Sequence, residues 1–309
     1  MSLQDQLMQF LVSGVTVGSI YALIALGFVV IYNVTGIINF AQGEFAVYGA
    51  FSAITVYQQT RLLSGNLQVD LGWPLPLAAL FGVIVATLLG LLLYRAGIQP
   101  ARNASILSMI IITIGAALVF RGMALLLWGT DPYRLPVFTP GPPIKIFGAI
   151  LVRQGVWVIG ITIITLVVLY LFFNYTLLGK ALRACAVNPG AARLMGINPR
   201  RMALLAFGLS AAITAIAGIA IAPITFMTYD RGLILSLKGF VAAIMGGMSS
   251  PVGAVVGGLL LGILESFSAG LISSGYKDAV AFFVLFIVLA VRLGGFLRGR
   301  AAAPEQAGL

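Results

Sequence analysis

Across residues 10–32 the chain carries no charged side chain. Wound as a helix, a run of that length spans about 30 Å, the thickness of a bilayer's hydrocarbon core. A cleaved leader has a shorter apolar stretch behind a basic start, whereas residues 1–9 hold Asp5 and neither Lys nor Arg. The run is therefore expected to be a first membrane helix. The rest of the chain offers no polar surface to hide it in water. Of 309 residues, 61% are hydrophobic and 8% charged, against roughly 25% charged in globular domains, and the mean hydropathy is +1.09. The expected fold class is an all-α integral membrane protein. It would be a polytopic bundle of about eight to ten segments, forming one transmembrane domain over residues 1–309.

Further apolar segments are expected at 34–57, 75–94, 105–128, 155–173, 202–227 and 279–291. A Gly-rich region at 233–267 is long enough for two short segments, with a break at Ser249, Ser250 and Pro251. Such a break is tolerated in a membrane only where it is buried in protein or lines a cavity, so broken or re-entrant helices are expected. Gly253, Gly257, Gly258 and Gly262 have the small-residue spacing that lets helix backbones approach closely. Residues 298–309 read as a short disordered tail.

The net charge of +10 is read as loop bias, because Lys and Arg crowd the cytoplasmic side of membrane proteins. No basic run interleaves with exposed aromatics, so nucleic acid is excluded as a partner. Loops 95–102 and 174–201 and the C-terminal end are basic and are placed in the cytoplasm. The Pro-rich loop 130–154, residues 58–73 and the N-terminus then lie outside. Cys185 is the one cysteine and there is no histidine. That excludes a disulfide within the chain and a Cys/His metal site, and it leaves Cys185 without a base to activate it. No metal site is expected.

Two segments stand out. The first is Asn39, Gln42, Gly43 and Glu44. A carboxylate at the centre of a membrane helix costs roughly 2.5–3.5 kcal/mol and usually faces protein interior or water. Gly36 and Gly43 weaken the helix around it, as in discontinuous transporter helices. The residues fit a translocation-path lining or a hinge beside it, or else a helix start near the interface with Glu44 in the first turn. Arg121, in the fourth segment, is read as an ion-pair partner of Glu44 or Glu265 or as snorkelling to an interface. The second is the basic segment 175–201. Asn188 can cap a short helix beginning at Pro189, and Gly196 can end it. Leu194 and Met195 would be exposed on that helix, which suits insertion into a partner's groove.

The run Gly18-Ser-Ile-Tyr-Ala-Leu-Ile-Ala-Leu-Gly-Phe-Val-Val-Ile-Tyr-Asn-Val-Thr-Gly-Ile-Ile-Asn-Phe-Ala-Gln-Gly-Glu-Phe-Ala-Val-Tyr-Gly49 resembles the LivH-type permease subunits of branched-chain amino-acid ABC importers. Ala191-Ala-Arg-Leu-Met-Gly-Ile197 is similar to that family's EAA coupling loop, and Gly239 to Glu265 to its Gly-rich C-terminal region. Two positions depart from the pattern. Gly190 stands where the coupling loop has Glu, and Gln42 stands where His is expected.

The resemblance implies the ABC importer permease fold, in a multi-pass protein of the bacterial inner membrane. It implies a second homologous permease, two cytoplasmic ATPases that bind ATP and Mg, and a periplasmic or extracellular binding protein. The chain itself would hold no cofactor. It gives ATPase contact to Arg183, Ala191, Ala192, Arg193, Leu194, Met195 and Gly196, and makes Asn39, Gln42, Gly43 and Glu44 path candidates. The cargo would be branched-chain amino acids or, in relatives, urea, amides or aromatic acids. A stand-alone secondary transporter using Glu44 as an ion site is the competing transport class. The chain has no Gly-x-x-x-x-Gly-Lys-Ser/Thr run. It also lacks a Gly-x-Ser-x-Gly elbow and a clustered acid/base pair, so a membrane enzyme is not expected.

Overall fold

The computed structural model describes residues 2–301 apart from 59, 64–66, 102–103 and 147. The helices are α1 (Leu3–Thr35), α2 (Gln42–Tyr57), α3 (Leu75–Leu92), α4 (Ile106–Trp128), α5 (Arg153–Tyr175), α6 (Leu177–Val187), α7 (Pro189–Leu194), α8 (Pro199–Ile221), α9 (Arg231–Gly246), α10 (Pro251–Leu271) and α11 (Lys277–Ala301). Two short antiparallel hairpins lie in loops, Thr60–Leu62 with Leu67–Val69 and Ile144–Ile146 with Ala149–Leu151. Among the described residues six helices are long and apolar enough to cross a membrane: α1, α3 with its extension, α4, α5, α8 and α10. The protein is an integral membrane helical bundle.

Several segment boundaries differ from the sequence reading. The segment expected at 34–57 is not one helix. Gly36 adopts φ 69° and caps α1, and helix resumes only at Gln42. The segment expected to stop at 94 runs on as a π-helix, Leu93–Ile98, because Tyr94 stays buried against Phe207. The segment expected to reach 227 ends at Ile221; Pro223 follows, and Met227 pairs with Tyr133 instead. Loop 175–201 holds the expected short helix as α7, and before it a further helix, α6, that the sequence reading did not place. The last helix reaches Ala301, taking in the start of the expected tail, and residues 302–309 lie outside the described residues.

α1 is the axis of the bundle. Its inner two-thirds are buried by α8, α9, α10 and α5, while α4 and α5 sit at the rim with much of their apolar surface outward. A rim helix can do this because lipid is as apolar as leucine. The α1–α10 seam shows why glycine was needed. A Cβ at Gly258 or Gly262 would strike the backbone of Ala22 or Gly18. Gly253 and Gly257 face the other way, against Gly246 and Ala242 of α9. The glycine spacing in α10 therefore serves two seams.

The loops sort to two ends. At one, Gln9 bonds to Ile150, Leu63 to Leu127, and Tyr133 to Met227. At the other, Asn33 bonds to Ser249, and α6, α7 and the start of α8 gather. Arg95, Lys180, Arg183, Arg193, Arg200 and Arg201 all lie at this second end, with no acidic residue beside them in those loops. The bias assigns this end to the cytoplasm. Cys185 is buried inside α6, and burial pushes its thiol upward from its ordinary range. It should therefore resist maleimide at pH 7 in the folded protein and label fully once the chain is unfolded. Rapid labelling of folded protein would contradict this packing.

Candidate functional site

Between α1 and α2 the chain runs unwound from Gly36, exposed near the cytoplasmic end where Asn33 meets Ser249, inward to Ala41, which is buried in the bundle. Every polar backbone group at such depth needs a partner, and side chains supply several. Asn39 Oδ1 accepts from the Ala41 N–H at 3.1 Å. Thr113 Oγ1, from α4, accepts from the Phe40 N–H at 3.2 Å and lies 3.3 Å from the Ile38 carbonyl. Ser236 Oγ, from α9, donates to the Phe40 carbonyl at 3.0 Å and accepts from the Gly43 N–H at 2.6 Å.

Gln42 ties the start of α2 to α8 and α1. Its Nε2 donates to Ser210 Oγ at 2.7 Å and to Thr214 Oγ1, and its Oε1 accepts from Asn39 Nδ2 at 3.3 Å. Ser210 Oγ in turn donates to the Gly27 carbonyl of α1 at 2.7 Å. Gly27 leaves room for this amide, since a Cβ there would meet Gln42 Nε2.

Glu44 lies in the first turn of α2, buried, against Gly232 in the first turn of α9. Arg121 Nη2 donates to Glu44 Oε1 at 3.4 Å, so of the partners open to Arg121 the fold selects Glu44. Two helix starts, α2 and α9, thus point their positive ends at this carboxylate.

Asn39, Gln42, Gly43 and Glu44 are all brought together and all buried inside the subunit. Thr113, Ser210, Thr214 and Ser236 complete the cluster, and the sequence reading did not single them out. Small hydroxyls in apolar helices are too common to flag one by one. A second buried cluster was missed as well. Lys238 Nζ stands 3.0 Å from Glu265 Oε1 and 2.7 Å from Asp278 Oδ1, and Tyr21 OH donates to Glu265 Oε2 at 2.8 Å. Here a signal existed, because Lys238 is a lone charge in an apolar stretch.

The coupling-segment residues form a separate surface at the cytoplasmic end. Asn188 Oδ1 accepts from the Ala191 N–H at 3.0 Å and caps α7, whose Pro189 needs no N–H partner. Gly196 closes the turn at φ 81°, and the Ile197 N–H bonds back to the Ala192 carbonyl at 3.0 Å. Ala192 faces inward, while Ala191 and Arg193 are exposed. Leu194 is 90% and Met195 82% exposed. Arg183, on α6, is exposed and donates to Asn174 Oδ1 at 2.9 Å.

The chain is 33% identical to the high-affinity branched-chain amino acid transport system permease protein LivH of Escherichia coli (strain K12), covering 94% of this chain and 95% of that one. It is 34% identical to the corresponding protein BraD of Pseudomonas aeruginosa, with the same coverage. A fructose import permease protein, FruF of Bifidobacterium longum, is 27% identical over 88% of this chain and 73% of its own length. The family described as branched-chain amino acid transport system, permease component, matches residues 10–289, and with a multi-pass helical bundle and full-length relatives of this kind, the chain belongs to that family.

Proposed function

We propose that this chain is one of two permease subunits of an ATP-driven importer that carries branched-chain or related amino acids into the cytoplasm. A second homologous permease would complete the membrane path. Two cytoplasmic ATPases would bind and hydrolyse ATP with Mg, and an external binding protein would deliver the cargo. The observation that carries the reading is α7. A capped helix of one and a half turns at the cytoplasmic end holds Leu194 and Met195 in water, 90% and 82% exposed among the described residues. Each exposed side chain of that size forgoes about 1.5–3 kcal/mol of burial, which docking into a groove recovers. The amino-acid names of the relatives at 33–34% identity support the cargo class.

The buried cluster at Asn39, Gln42, Gly43 and Glu44 acts in this reading as a hinge beside the path. Hydrogen bonds tie the unwound segment and the start of α2 to α4, α8 and α9, and through Ser210 to α1, so motion of any of these helices is felt by α2.

Changing Leu194 and Met195 together to Asp tests the coupling role. In the assembled complex, cargo-stimulated ATP hydrolysis should fall at least tenfold while the melting point of the isolated chain stays unchanged, since neither side chain packs within it. Undiminished stimulation would sink the proposal, as would a chain that purifies without ATPases and moves solute alone in liposomes.

A further inference from the structure

α5 and α10 both pack on α1, and between them toward the cytoplasmic end lies a groove of about 800 Å³. Leu26, Val29 and Val30 of α1 form its floor; Val167 of α5 and Val256 of α10 stand on its walls. At the cytoplasmic mouth the character changes. Asn33 Nδ2 donates to the Ser249 carbonyl at 3.2 Å on one side, and Arg183 Nη1 donates to Asn174 Oδ1 at 2.9 Å on the other. α6, which carries Arg183 and Lys180, closes that end. No acidic residue occurs from 174 to 201, so the charge of Arg183 is met within its own segment only by an amide.

We propose that this groove binds an anionic phospholipid of the cytoplasmic leaflet, with an acyl chain along α1 and the headgroup phosphate on Arg183. An apolar trough at the depth of a membrane helix, open sideways and ending in a cation at the level of the headgroups, has the polarity profile of one lipid molecule. A protein occupant fits less well. A second copy of this chain would bring the same excess of basic residues to a mouth that is already cationic. α6 is continuous with α7 through Asn188, so the lipid would brace the helix that presents the coupling surface.

The test is native mass spectrometry of the purified full chain, stripped of lipid and offered phosphatidylglycerol or phosphatidylcholine at equal concentration. Wild type should retain phosphatidylglycerol about fivefold better, the factor contributed by one basic side chain near a membrane surface. Arg183→Gln should abolish that preference, and Val256→Trp, on an exposed wall position, should reduce the adducts of both lipids while leaving the melting point intact. Equal retention of the two lipids by wild type overturns the proposal, as does a preference that survives Arg183→Gln or adducts undiminished by Val256→Trp. A photo-crosslinker at position 256 that captures a permease chain in native membranes, not phospholipid, gives the groove to a protein and also overturns it. No ATPase is present in the first measurement, so loss of lipid preference is read separately from any loss of coupling by Arg183.

Discussion

Lys238→Met is expected to lower the stability of the folded chain by about 3–5 kcal/mol, the cost of removing one partner from a buried ion pair. Three anionic or polar groups converge on the ammonium: Glu265 at 3.0 Å, Asp278 at 2.7 Å and the Tyr21 hydroxyl at 3.2 Å. The shortest contact is not the important one. Asp278 is 56% exposed, and a pair open to solvent contributes about 0–1 kcal/mol. Glu265 is fully buried. Without Lys238 it would keep the Tyr21 hydroxyl and the Lys277 ammonium at 3.8 Å, too distant for a hydrogen bond. Methionine fills the same volume, so the loss reports charge and not packing. The double variant Lys238→Met with Glu265→Gln should recover more than half of the loss, because no net charge is then left buried. Thermal unfolding of the purified chain, followed by tryptophan fluorescence, decides the matter. A single variant as stable as wild type, or a double variant no better than the single, would refute this account.

How far the sequence exposes this architecture depends on which physical signal a feature leaves. Helices α4 and α5 were read to within two residues because lipid faces most of their surface, so almost every position had to be apolar. The α7 cap and its Gly196 stop were equally legible, since Asn188, Pro189 and Gly196 each act on their own backbone. The Gly-rich stretch also announced its break at 247–250 and its close packing, though not which seam each glycine serves. The break at 36–41 was half legible. Gly36 and Gly43 marked weakness, but hydropathy continued straight through, and it took partners from α4, α8 and α9 to hold the chain unwound. Those partners are 73 to 196 residues away in sequence, a separation no local pattern spans. Lys238 is a different kind of miss. A lone lysine among apolar residues was visible, but Arg121 was weighed as the cation for Glu265, and the true partner lies 27 residues before it in sequence.

Gly43→Val should destabilise the folded chain about as much as Lys238→Met, by a steric route. A Cβ at position 43 would fall on the Gly232 carbonyl oxygen and within 2.6 Å of the Ser236 backbone nitrogen. Both obstacles are backbone, so no side chain can swing aside; α2 and α9 must separate. Separation would also break the Gly43 N–H to Ser236 Oγ bond and, through Ser236, the bond to Phe40. Overpacking costs about 1–3 kcal/mol, and each orphaned buried group adds about 1–3 kcal/mol, so the sum should reach about 4 kcal/mol. Gly160→Ala in α5 is the control, because a Cβ there meets nothing within 4 Å among the described residues. It should be neutral or stabilising by up to about 1 kcal/mol, the helix-propensity gain of alanine over glycine. If Gly43 serves only as a small helix residue, the two variants will melt alike, and the close contact of α2 with α9 is then not what holds the unwound segment. If instead Gly43→Val alone falls by several kcal/mol, that contact is the seam on which the hinge depends. Gly43→Ala, with one carbon to accommodate, should then retain the fold partly and lose cargo uptake more than it loses stability, because the hinge must move past Gly232 whereas the resting fold need only tolerate it.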